Sequence, residues 1–252
     1  SKPNPSYDIF LKDDGKGGFL YNDGYTSATG DVAGQVSGPK FSATFGPSKS
    51  PKVVATDTLN RVSFAVTPTF TVEGPQKNSN RVVYPITGKN GSVVYTARAG
   101  SIKEDIVLYS APSDEVKFAF TLGMESSMEA RLEKNGAIGV YGVESALLGS
   151  VTTSTDEDAK LLEAARQNSQ KNKLLFTIPA PFVTESGKKV SDVKTWYELK
   201  GKQLTVFAKG LKRARYPLSI DPTIYIETAS KLMRGNSETN VDFDAANELI
   251  QK

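Results

Sequence analysis

The sequence predicts an all-β fold: an antiparallel, sandwich-like domain with one inserted helix at about residues 156–169. Three observations lead there. Apolar residues recur at every second position in a series of short runs between Val62 and Ile220, the pattern of strands with one buried face. Gly, Asn, Asp and Pro turn signals separate those runs at spacings that suit antiparallel hairpins. Helical features gather in a single stretch.

Taken in order, residues 1–61 read as a loop-rich β segment. They hold turn signals at Asp14-Gly15, Gly17-Gly18 and Gly46-Pro47, and a tight hairpin is expected over Phe19 to Tyr25 around Asn22-Asp23-Gly24. The sandwich domain is expected over 62–223. Val62, Phe64, Val66, Phe70 and Val72 alternate with Ser63, Thr67, Thr69 and Thr71, and Pro68 marks an edge or a bulge. Val82-Tyr84-Ile86, Val93-Tyr95-Ala97 and Val116-Phe118-Phe120-Leu122 continue the alternation, and Glu115, Lys117 and Thr121 face away from the last of these. Leu174-Phe176-Ile178, Leu204-Val206-Ala208 and Tyr216-Leu218-Ile220 complete the set.

The inserted helix has its own signals. Ser154 is a cap with Glu157 three residues on, Asp156, Glu157 and Asp158 crowd the first turn, and Arg166 and Lys171 follow at the other end. Leu161, Leu162 and Ala165 form a narrow apolar stripe. Residues 224–252 read as the start of a following domain or a linker, with a strand possible over Ile224 to Thr228.

Composition excludes several chemistries. The chain has no cysteine and no histidine, so disulfides, thiolate nucleophiles, a Ser-His-Asp triad and imidazole metal ligands are all ruled out. The 31 basic and 28 acidic residues are interspersed and leave a net charge of +3, too little for the concentrated basic face that nucleic-acid binding needs. No apolar run reaches the ~18 to 20 residues of a membrane span.

The stretch Lys212 to Thr223 reads as a basic turn, then a short strand, then Asp221-Pro222-Thr223 turning the chain out of the domain. Its Tyr216-Pro217-Leu218-Ser219-Ile220-Asp221-Pro222-Thr223 resembles the "YPV-x-IDPT" ending of a domain in large bacterial surface proteins. Further pieces fall in order before it: Val83-Tyr84 with Gly91 to Tyr95, the strand Gly100 to Leu108, the strand Val116 to Leu122, the turn Lys134 to Ile138, and Ile178-Pro179-Ala180-Pro181-Phe182. Together, over about 82–223, they resemble the pre-repeat domain of Rhs-type, wall-associated and SBBP-type repeat proteins. The resemblance implies an exported, non-enzymatic structural or adhesive module at the bacterial cell surface. It also implies that the chain is a portion of a longer protein whose signal peptide has been removed. The partners implied are the remainder of that protein and glycans or proteins of another cell surface.

Each candidate site also admits a simpler role. Asp13 to Gly18 lacks EF-hand spacing and a P-loop context, and reads as a solvated turn. Asn240-Val241-Asp242-Phe243-Asp244 spaces oxygen ligands at alternate residues, but Ala245 and Gln251 stand where a calcium loop needs glycine and glutamate. Glu104-Asp105, Asp114-Glu115, Glu157-Asp158 and Asp242/Asp244 are the carboxylate pairs a glycan-acting enzyme would use without histidine. Trp196-Tyr197 would suit sugar stacking in a carbohydrate-binding module, against a packing role for a lone tryptophan. A Lys–Asn crosslink finds no matching motif. No catalytic residue, cofactor or metal ligand is therefore assigned, and the carbohydrate-binding module and the carboxylate enzyme stand as alternatives to the structural module.

Overall fold

A computed structural model describes residues 11–22, 41–58, 61–98, 101–111, 113–142, 155–161, 174–190 and 192–226. They form an almost wholly β structure of two antiparallel sheets, as the alternation predicts. The first sheet runs in the order β1 (Leu11–Asp13), β2 (Phe19–Asn22), β3 (Phe41–Phe45), β4 (Val53–Asp57), β5 (Val62–Pro68), β10 (Glu115–Gly123), β17 (Gln203–Lys209) and β16 (Lys194–Lys200). The second follows β11 (Glu129–Leu132), β12 (Ile138–Tyr141), β13 (Leu174–Ile178), β19 (Ile224–Ile226), β9 (Ser101–Leu108), β18 (Leu218–Asp221), β14 (Phe182–Glu185) and β15 (Lys188–Val190). On the other edge of β9 it continues through β8 (Gly91–Arg98), β7 (Arg81–Pro85) and β6 (Gln76–Asn78).

Inward faces are those the period-two pattern selects. On β10, Val116, Phe118, Phe120 and Leu122 are buried, whereas Glu115, Lys117 and Thr121 are exposed. Phe64 of β5 meets Phe176 of β13 at 5.5 Å between ring centroids, and Phe45 of β3 meets Tyr95 of β8 at 5.9 Å, so the core is the slab between the sheets. Burying each large apolar side chain there contributes about 1.5–3 kcal/mol. Pro68 costs the ladder nothing: pairing with β4 ends at Val66, and β5 continues against β10 alone. The turn between β11 and β12 closes on Gly136 at φ 82°, with Asn135 Oδ1 accepting from the Ala137 amide at 3.1 Å.

The sheets correct several expectations. The hairpin expected over Phe19 to Tyr25 turns at residues 23–25, which lie outside the described residues; Phe19–Asn22 pairs β1 on one edge and β3 on the other. A tight hairpin lies earlier, through Asp14 to Gly18. The expected boundary at 61/62 falls inside the β4–β5 hairpin, and β3 buries Phe41 and Phe45 completely, so these early strands belong to the sandwich.

The exit at Thr223 is likewise absent. Leu218 pairs Leu108, Ile220 pairs Ile106 and Ile224 pairs Ile102, one unbroken register along β9. Pro222 interrupts the ladder because it has no N–H, but the strand carries straight on and buries Ile224. Residues 227–252 lie outside the described residues. Tyr216 is not part of the strand; it is half-buried before Pro217, and its hydroxyl donates to the Leu211 carbonyl at 2.9 Å. The helix is present at 156–161, where Thr155 Oγ1 accepts from the Asp158 amide at 3.1 Å; Ser154, the expected cap, lies outside the described residues. Leu161 is 69% exposed, so the expected stripe does not bury there, and Leu162 to Lys171 lie outside the described residues.

Candidate functional site

The polar chemistry collects in two places. One is inside the slab. On β9 the inward positions are Ile102, Glu104, Ile106 and Leu108, so strand alternation carries a carboxyl into the core. Glu104 faces a void of about 10 Å³, room for about one water, lined from the first sheet by Val66, Phe120, Leu204 and Val206 and from the second by Ile178, Pro222 and Ile224. Tyr95 lies directly across from Glu104 on β8. Its hydroxyl and that of Tyr197 on β16 find no hydrogen bond of normal length and angle. Burial, with the nearby charges of Asp105 and Asp221 adding to it, pushes Glu104 up to about 8, whereas Tyr95 acts in the other direction. Burial also raises both tyrosines well above their usual range. At neutral pH this carboxyl is therefore mostly protonated.

One residue on, the outer face of the second sheet holds Asp105 and Asp221, side by side across β9 and β18. Lys103 bridges them at 3.3 Å and 3.6 Å, and Thr223 Oγ1 donates to Asp221 Oδ1 at 2.5 Å. Burial pushes Asp105 up to about 6 against the pull of Lys103, with Asp221 adding to the rise. Because Glu104 and Asp105 are neighbours on one strand, they face opposite sides of the sheet and cannot act on one bond.

The second place is the outer face of the first sheet, where a groove of about 350 Å³ lies over β10, β17 and β16. Its floor includes Ala119 and Thr205, Phe207 and Phe70 supply aromatic surface, and Lys117, Glu198, Lys200 and Gln203 supply polar groups. Trp196 and Phe207 are cross-strand partners whose rings stack in parallel at 5.0 Å and 2°. The stack covers one face of each ring, and Phe207 rather than Trp196 lines the groove.

The remaining sequence candidates are accounted for locally. Asp13 Oδ1 accepts from the Gly15 amide at 2.6 Å, and Asp14 Oδ1 accepts from the Lys16 and Gly18 amides at 2.7 Å and 2.9 Å. Those amide bonds hold Asp14 below its ordinary value, and the loop is a self-contained turn. Asp114 Oδ1 accepts from the Lys212 amide at 3.2 Å, Glu115 pairs with Lys209 at 3.7 Å, and Glu157 and Asp158 are exposed on the helix. Asn240 to Asp244 lie outside the described residues. Among the described residues no three carboxylates converge closely enough to hold a metal ion, and no helix is long and apolar enough to cross a membrane. Sequence reading missed the buried Glu104, although its place between Ile102 and Ile106 carried the signal. It also missed the Asp105–Asp221 pairing, which depends on a long-range strand register.

The chain matches no protein-family model, no curated protein and no solved structure.

Proposed function

We propose that the chain is a non-enzymatic structural and adhesive module of a large bacterial cell-surface protein. The observation that carries this reading is that Glu104, Asp105 and Asp221 are committed to the fold. Glu104 is sealed between the sheets beside a void that admits nothing larger than water, and Asp105 and Asp221 are tied to Lys103. The family-like pieces add support. They fall, in order, on the β7–β8 pair, β9, β10, the β11–β12 turn, the β13–β14 connection and β18. A sandwich whose first and last described strands are both built into its sheets suits a cysteine-free spacer that carries load through its ladders.

Antibody labelling and protease shaving of intact cells test the setting. The protein is expected to be labelled and shaved without lysis, and protection from both would overturn the reading. Release of reducing sugar from a surface polysaccharide by the purified chain, abolished by one Asp or Glu substitution, would replace it with the carboxylate enzyme.

A further inference from the structure

We propose that the outer face of β10, β17 and β16 binds an acidic polysaccharide, with Phe207 as the stacking surface and the surrounding lysines as the charge partners. This deepens the reading above by naming a partner, and rests on it only for the extracellular setting.

Strand register sets the site. Across the three strands, Lys194, Lys209 and Glu115 form one row, and Trp196, Phe207 and Lys117 the next. Glu198, Thr205 and Ala119 follow, then Lys200, Gln203 and Thr121. Ala119 leaves a depression on a central strand where larger neighbours stand on either side, and this is where the groove opens. Phe207 presents the ring face not covered by Trp196, and the 5.0 Å stack fixes its orientation before any ligand arrives. A flat apolar ring beside Thr205, Gln203 and Glu198 offers what a pyranose requires: a surface for its C–H face, and both donors and acceptors for its hydroxyls.

The charges choose among sugars. Four lysines stand against two glutamates in these rows, and among the described residues Lys117, Lys194 and Lys200 make no ion pair. Protection of an open edge accounts for lysines on β16, which among the described strands pairs only β17. Lys209, on a strand paired on both sides, is engaged by Glu115, whereas Lys117 lies before the stretch of β10 that pairs β5 and adds a cation from a third strand to the groove. A neutral glycan would leave Lys117, Lys194 and Lys200 without partners, whereas the carboxylates of a uronic-acid polymer complement them. Glu198 in the same groove accepts from sugar hydroxyls, which a uronic-acid polymer carries between its carboxylates and the deoxyribose units of single-stranded DNA lack, and this favours a polysaccharide over single-stranded DNA.

Affinity electrophoresis of the purified chain through gels containing polygalacturonate, alginate, dextran or single-stranded DNA tests this directly. The expected result is retardation by one or both acidic polysaccharides, weakened by added salt, and none by dextran. Lys117→Ala and Lys200→Ala should each weaken retardation about two- to fivefold, the loss of one exposed charge contact. Ala119→Phe, which fills the floor, should abolish it. Lys188→Ala, on the other sheet, should leave it unchanged, and circular dichroism of each variant separates lost binding from lost folding. No retardation by either acidic polymer would overturn the proposal, as would equal retardation by dextran or DNA, or equal loss in the Lys188 variant. Intracellular localisation with retardation intact would sink the setting and leave the groove standing.

Discussion

Glu104 and Lys117 stand on central strands of the two sheets, and the molecule treats their charges in opposite ways. Glu104 faces the slab, where solvation is lost and no cation compensates, so the proton stays on and the charge disappears. Lys117 faces water, where an ammonium costs little to keep and remains available to a partner. Shape decides what happens between the sheets, and charge decides what happens outside them. Changes inside should therefore read out as stability, and changes in the groove as binding.

The largest expected effect comes from cutting into the slab's connections. Among the described strands of the second sheet β19 alone joins β13 to β9, so its loss separates β11, β12 and β13 from the rest of that sheet. Truncation after Thr223 should abolish cooperative unfolding in urea, whereas truncation after Ile226 keeps the joining strand and should leave a cooperative transition. Equal behaviour of the two truncations would show that β19 is not the link it looks to be.

A single core residue comes next. Phe64 is 1% exposed and packs on Phe176 across the slab, so Phe64→Ala should cost about 3–5 kcal/mol by urea denaturation. Phe207→Ala removes a ring of similar size from the outer face and should cost only about 1 kcal/mol, chiefly its stack on Trp196. If the two cost the same, the outer stack is a second core and the contrast between the faces fails.

Much of this was legible in the sequence, and the limits are physical. Alternation alone named the inward residues of β5, β7, β8 and β10, because a strand's facing is local information. Two kinds of feature were not local. The Pro222 stop looked terminal from its neighbours, yet the partner strand β9 (Ser101–Leu108) runs beside it and holds the chain in line. The boundary at 61/62 looked like a change of period, yet it falls inside the β4–β5 hairpin and β3 already alternates. Of the groove, Trp196 was visible as an aromatic. The rows that set Phe207, Ala119 and Lys117 beside it exist only once β17 pairs β10 and β16.

The interior carboxyl offers a sharper test through pH. Glu104 is raised from its ordinary 4.5 to about 8, so between those values the folded protein holds a proton that the unfolded chain releases. The stability tied to this proton is fully present below 4.5 and is lost as pH rises through 8, at a slope of at most about 1.4 kcal/mol per pH unit. Asp105, raised to about 6, adds a loss of the same sign at the lower end of that window. Glu104→Gln keeps the shape and removes the titration. Its urea midpoint should fall less steeply than the parent's from pH 5 to 8, and its advantage should be greatest at the alkaline end. Parallel pH profiles for the two proteins would mean that Glu104 reaches solvent or a cation.

The smallest stability effect belongs to Lys117, and its smallness is the point. The side chain is exposed, makes no ion pair among the described residues, and projects from a strand whose inward residues do the packing. Lys117→Ala should shift unfolding free energy by no more than about 0.5 kcal/mol, within the range of ordinary surface substitutions. The same substitution should weaken retention by an acidic polysaccharide, and added salt should weaken retention of the parent in the same way, since both act on the exposed charge. A variant that lost binding and stability together would place Lys117 in the packing. One that lost neither would leave Lys117 without a role beyond solubility. Only a loss of binding at constant stability fits a face where water permits charge and a ligand uses it.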